Sequence, residues 1–188
     1  MTADVMRPRV KLTYEEYLGF PDDGKRHELI DGEHYVSPSP IDRHQRALAR
    51  IHLALGPFVR DRGLGEVFFA PFDVILSETD VVEPDLLFIS TARLSILSGG
   101  YVHGAPDLLV EILSPSSIRY DAVTKLRLYE KFGVGEYWLV DPEREQIEVF
   151  RLADGRLKKV AEHTRESGEA LTSPLFPGLR VDLGEIFG

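Results

Sequence analysis

The chain has 188 residues, 43% hydrophobic and 28% charged, which excludes disordered and fibrous classes and suits one globular domain with a single sizeable core. It contains no cysteine, so disulfides, thiolate metal sites and cysteine nucleophiles are excluded, and a reducing compartment is the natural setting. The 22 Lys and Arg against 31 Asp and Glu give a formal net charge of −9, so contact with a polyanion would need a local basic patch or bound cations.

We read residues 1–188 as one domain, with no internal repeat and no low-complexity linker. The opening MTADVMRPRVKLTYEEY has no apolar stretch of signal-peptide length, and no apolar run approaches ~18 residues. A cytoplasmic protein without a membrane partner is expected. A short helix is predicted over 12–18 with Thr13 as N-cap, ahead of Phe20 and Pro21. In HELIDGEHYVSP, Asp31-Gly32 separates two strand-like runs and predicts a hairpin. Asp42 is the expected cap of a helix running to about Arg62, where Gly63 stops it.

Residues 66–76 read as a strand pair or one strand broken at Pro71, and 86–89 as a further strand. The connection 91–105 contains glycine and shows little pattern. The apolar run DLLVEIL at 107–113 predicts a strand buried on both faces, followed by a turn at Ser114-Pro115. A helix over about 121–132 ends at Gly133 and Gly135, and 137–140 is another strand. A last hairpin turns at Asp154-Gly155, and a Pro-rich tail ends in alternating LRVDL. This order predicts an α/β domain around a central mixed sheet flanked by helices, with additional hairpins at both ends.

Glu111 stands inside the most apolar of these strands, where a carboxylate must neutralise, pair or bind a metal. Asp85 precedes the strand 86–89, with Pro84 fixing the backbone between it and Glu83. If the two strands are neighbours, Asp85 and Glu111 converge on one hard cation, with the backbone carbonyl of Ile112 as a third oxygen; Mg²⁺ suits such a set. The alternatives are that Asp85 caps a turn and that Glu111 pairs with a lysine or arginine.

At about 100° per residue, Lys125 falls in the same arc as Leu128, Tyr129 and Phe132, on the apolar face, whereas Arg127, Glu130 and Lys131 lie opposite. An inward lysine needs an anion, or it snorkels to the edge of the core. Asp121, one turn earlier, either orients the Lys125 ammonium or is a simple helix-start acid. Tyr129 reads as a core aromatic with a polar tip.

In the helix after Asp42, His44 projects within the apolar arc, as a hydrogen-bonded core residue or a donor to phosphate. Arg43, Arg46 and Arg50 form a stripe that suits either phosphate contacts or a plain solvated face. Glu28 and Glu33 flank the first hairpin turn, where surface exposure is the default and approach to the site the alternative.

These residues resemble a known pattern. Pro84-Asp85, then Glu111 within a strand, then a lysine is similar to the PD-(D/E)XK nuclease superfamily. More closely, the chain resembles the Uma-two family of restriction-endonuclease-like proteins. The resemblance is carried by ELIDGE at 28–33, SPSPIDRH at 37–44, VVEPDLLFI at 81–89, PDLLVEILSPSS at 106–117, RYDAVTKLRLYEKFGVGEYWLVDP at 119–142 and SPLFPGLRVDL near the end.

It implies a restriction-endonuclease-like core and metal-dependent hydrolysis of DNA phosphodiesters, with Mg²⁺ or Mn²⁺ as cofactor and DNA as partner. Asp85 and Glu111 would be the metal carboxylates, while Glu28 and His44 match further family positions with secondary roles. The superfamily's usual lysine stands two residues after the glutamate. Here that position is Leu113, and the resemblance suggests that the lysine has moved to Lys125.

The expected function is a metal-dependent endodeoxyribonuclease. The rival is a catalytically idle nuclease fold that serves as a DNA-binding or oligomeric interaction module, with a homodimer as the simplest oligomer. A hydrolase with paired carboxylates acting on sugars would need an aromatic cleft, and Trp138 lies instead in an apparent buried strand.

Overall fold

The computed structural model describes residues 10–114 and 120–188, and of residues 120–122 the backbone alone. Helix α1 (Tyr14–Tyr17) starts after Thr13, whose N–H and hydroxyl both donate to the Glu16 carboxylate, 2.8 and 3.1 Å away. Strands β1 (Arg26–Ile30) and β2 (Glu33–Ser37) form the expected hairpin. Asp31 and Gly32 take φ of 52° and 73°, the left-handed pair that a two-residue hairpin turn requires.

Helix α2 (Asp42–Asp61) is capped by Ile41, so Asp42 is a first-turn acid that complements the helix dipole and not the cap itself. Strands β3 (Gly65–Phe69), β4 (Val74–Ser77), β5 (Asp80–Val82) and β6 (Leu86–Ser90) follow. The stretch read as patternless holds a 3₁₀ segment over Thr91–Ile96 and two short strands, β7 (Leu97–Ser98) and β8 (Tyr101–His103). Then come β9 (Leu108–Ile112), α3 (Tyr120–Phe132), β10 (Glu136–Asp141), the hairpin β11 (Gln146–Ala153) and β12 (Arg156–Thr164), and α4 (Leu183–Phe187).

Among the described residues the strands form two six-stranded sheets, in the orders β12-β11-β10-β9-β6-β3 and β2-β1-β5-β4-β8-β7. The first is the expected central mixed sheet: β9 and β10 are parallel, joined across α3, and its other pairs are antiparallel. The N-terminal hairpin, expected as an addition to the central sheet, forms the edge of the second sheet. The LRVDL alternation makes a single bridge, Leu171 to Val181, and no strand.

The central sheet buries both faces, and its period of two sorts the side chains. Leu86, Phe88, Leu108, Val110, Ile112 and Trp138 pack with Leu48, Ile51, Leu55 and Val59 of α2 and with Phe176 of the tail. Leu87, Ile89, Leu109 and Tyr137 point the other way, against Leu128 and Tyr129 of α3 and Val74, Val82 and Val102 of the second sheet. By the same alternation Glu111 shares the face of Leu109, beneath α3. No helix among the described residues is long and apolar enough to cross a membrane.

Candidate active site

Four elements meet at one end of β9. In the antiparallel register Leu86 faces Val110, so one more step sets Asp85 beside Glu111. From the second sheet, β1 contributes Arg26 and Glu28, two residues apart and therefore on one strand face. Helix α3 lowers Lys125 and Tyr129 from above, and the first turn of α2 brings His44. All of these side chains except Tyr129, together with Glu83, line a cavity of about 190 Å³.

Lys125 is the hub. Its Nζ donates to Glu28 Oε1 at 2.9 Å and to Glu111 Oε1 at 3.0 Å. Glu111 Oε1 also accepts from the Tyr129 hydroxyl at 2.5 Å, and Glu28 Oε1 from the Glu83 N–H at 2.9 Å. Burial pushes the Lys125 ammonium towards neutrality, but the Glu111 and Glu28 carboxylates outweigh this and hold it well above the ordinary lysine value. Burial also raises the Glu111 carboxyl, Lys125 opposes the rise, and Asp85 and Glu28 reinforce it, bringing Glu111 up to about 7. Lys125 has two carboxylates and Glu111 only a share of one ammonium, so Glu111 is the member of the pair that gains a proton first.

Asp85 is held differently. Its Oδ1 accepts from Arg26 Nη1 at 2.5 Å, and its Oδ2 from the Ile112 N–H at 2.7 Å and from His44 Nε2 at 3.1 Å. Burial raises this carboxyl, but His44 and Arg26 outweigh it, so Asp85 lies below the usual carboxylate range. Glu83, two residues earlier, is pushed up to about 7 by burial and by Asp73 and Glu28. Among the described residues two buried polar atoms of the cavity-lining residues have no partner, His44 Nδ1 and the Tyr137 hydroxyl.

The family model for Uma2, described as "Putative restriction endonuclease", matches residues 14–184. The chain belongs to the Uma2 family. In fold, the Uma2 chain is similar to a crystal structure from Anabaena variabilis described as "a putative nuclease belonging to DUF820". That match has a TM-score of 0.79 and 20% identity, and covers 94% of this chain and 97% of the other. No curated protein matches the sequence.

Within this Uma2 chain Asp85, Glu111 and Lys125 share the cavity with Glu28 and His44. Lys125 does not snorkel; it is an internal ion pair, with 12% of its side chain exposed. Glu28 is 4% exposed, against the default placed on it, because the Lys125 ammonium and the Glu83 N–H hold its carboxylate inward. Ile112 lines the cavity, and its N–H donates to Asp85. The side chain of Asp121 lies outside the described residues.

The arginine stripe is elsewhere. Arg43 pairs with Glu143 at 2.8 Å, Arg46 with Asp42 at 3.7 Å, and Arg50 donates to the Ile186 carbonyl at 3.1 Å. They line a separate depression beside α4, and their partners lie within the chain. The cation that sequence reasoning missed is Arg26. Its signal was available, since a strand holding Glu28 inward also holds residue 26 inward.

The donor set fits a hard divalent cation. Four carboxyl groups, those of Glu28, Glu83, Asp85 and Glu111, line the cavity against the fixed charges of Arg26 and Lys125. Among the described residues both hydrogen bonds to Glu111 fall on Oε1, which leaves Oε2 for a ligand. No three acidic or histidine side chains there converge into a protein-only cage.

Proposed function

We propose that this chain is a Mg²⁺- or Mn²⁺-dependent endodeoxyribonuclease that hydrolyses DNA phosphodiester bonds. The observation that carries the reading is the convergence of Asp85, Glu111 and Lys125, from separate elements, in one cavity of an Uma2 chain. Asp85 and Glu111 would hold the cation. A divalent cation there supplies Lewis-acid polarisation of the phosphate and a more acidic water. Asp85 is kept ionised and aimed by the Ile112 N–H and His44. Lys125 stays protonated, fixes Glu28 and Glu111, and offers positive charge to the negative charge that develops on the phosphoryl oxygens. Tyr129 locks the Glu111 rotamer from behind through Oε1.

The test is nicking of supercoiled plasmid with Mg²⁺ or Mn²⁺ by wild type, Glu111→Gln and Lys125→Ala. Cutting by wild type that both substitutions abolish is expected; equal behaviour of all three overturns the assignment. One observation favours the rival reading, a fold that binds DNA without cutting: both Asp85 oxygens already have internal donors. That protein would shift DNA with an affinity that falls as salt rises, and would never nick it. The same reading includes a homodimer, for which the edge strands β2 and β12 present the exposed Val36 and Val160; sedimentation tests it.

A further inference from the structure

The two ends of Asp85 are held unequally. Oδ2 receives two donors that cannot leave, the backbone N–H of Ile112 and the 5%-exposed His44 side chain. Oδ1 receives one, the guanidinium of Arg26, at 2.5 Å. Arg26 is the most exposed member of this group, with 22% of its side chain open. It stands at the first residue of β1, opposite Ser37, where the hairpin opens into the cavity wall. With both lone pairs of Oδ2 engaged, a cation reaching Asp85 must take the remaining lone pair of Oδ1, beside the Arg26 guanidinium. Two positive groups on one oxygen repel, and the long arginine side chain is the one able to move. The guanidinium fork then has no carboxylate at Asp85, and the ligand that matches its geometry is the phosphate of an incoming strand.

We propose that Arg26 is an exchangeable counter-ion. It covers Asp85 when no divalent cation is bound and, displaced by the cation, turns to bind a substrate phosphate. This rests on the nuclease reading for the identity of the anion, but not for the exchange. Arg26 would therefore couple metal binding to DNA binding, so that the acidic cavity attracts the strand only after it holds its cation.

The experiment measures two affinities for wild type, Arg26→Gln and Arg26→Lys, each checked for folding by circular dichroism. Ca²⁺, which shares the oxygen preference of Mg²⁺, is titrated calorimetrically. A short DNA duplex is then titrated by fluorescence anisotropy, without metal and at saturating Ca²⁺. Arg26→Gln is expected to bind Ca²⁺ about tenfold more tightly, because a charge-assisted competitor for Oδ1 is gone. It should bind duplex about tenfold more weakly at saturating Ca²⁺, yet within about twofold of wild type without metal. Arg26→Lys keeps the charge and should recover most of the Ca²⁺-dependent duplex binding.

An unchanged or weaker Ca²⁺ affinity in Arg26→Gln overturns the exchange. An equal loss of duplex binding with and without Ca²⁺ overturns the handover, since a merely structural arginine would act that way. A wild type that binds Ca²⁺ and duplex but never nicks plasmid with Mg²⁺ or Mn²⁺ sinks the nuclease reading alone and leaves the exchange decided by the two affinities.

Discussion

Replacing Lys125 by methionine keeps the length of the side chain and removes its charge, leaving Glu28 and Glu111 with 6% and 11% of their side chains exposed and no shared ammonium. Breaking a buried pair from one side typically costs about 3–5 kcal/mol. The structure says how this cost depends on pH. Glu111 already sits at about 7 in the folded protein against an ordinary 4.5, which corresponds to about 3 kcal/mol between its two protonation states. Its folded value is raised, so its contribution is fully present below pH 4.5 and is lost as pH rises through 7. Without Lys125 the carboxyl rises further, and the loss deepens and extends to higher pH. The variant should therefore be about 3–5 kcal/mol less stable than wild type near pH 8.5 and lose at most about half of that near pH 5, where Glu111 is already protonated in both proteins. Urea unfolding followed by the fluorescence of the buried Trp138 reads both values. A destabilisation that is the same at the two pH values, or larger near pH 5, refutes the role of Lys125 as counter-charge to these carboxylates.

Glu111→Gln should lower calorimetric Mg²⁺ or Mn²⁺ affinity and plasmid nicking by about a hundredfold or more while the protein stays folded, and chelation with EDTA should abolish nicking by wild type. Tyr129→Phe removes the 2.5 Å hydrogen bond that favours the ionised Glu111, so the acid limb of the pH–rate profile should move to higher pH; a profile that moves down or stays in place would count against that bond. Arg151→Met, remote from the cavity, unpairs the buried Glu136, whose other partner is Trp138 Nε1 at 2.6 Å. It should cost about 1–3 kcal/mol in urea unfolding, because Arg151 is one-third exposed, with nicking unchanged at a temperature where the variant is folded. Adding Leu113→Lys to Lys125→Met should restore nicking at least about tenfold if the cavity needs a nearby positive charge, and not at all if it needs the bridge to Glu28.

Long elements with a clear period were legible in the sequence. DLLVEIL announced a strand buried on both faces, and the interruption at Glu111 announced a polar end to that core. Asp31-Gly32 and Asp154-Gly155 each gave a hairpin, since the left-handed turn needs those residue types. The second sheet was not legible, because β5, β7 and β8 have only three, two and three residues, too few to show alternation. Its consequence fell on Glu28. A hairpin read as peripheral leaves its glutamate in water, whereas the same hairpin at the edge of a packed sheet, under α3, buries it. Arg26 was lost with it. Lys125 was found because a helix of thirteen residues is long enough for its 3.6-residue period to mark an inward face.

The position of the lysine sets what holds the site together. Leu113 has the same parity as Glu111 and lines the same cavity, with its N–H still paired to the Val140 carbonyl at 2.8 Å. A lysine there would hang from the strand that carries Glu111, and the site would be complete within the central sheet. Lys125 comes instead from α3, and its two bonds join the central sheet, through Glu111, to the second sheet, through Glu28. The charge constellation therefore exists only when both sheets and the helix are docked. When all four carboxyl groups are ionised they face two fixed cations, and a divalent cation would balance them. At that balance the cavity no longer presents a net negative charge to an anionic strand, which a protein of net charge −9 would otherwise repel.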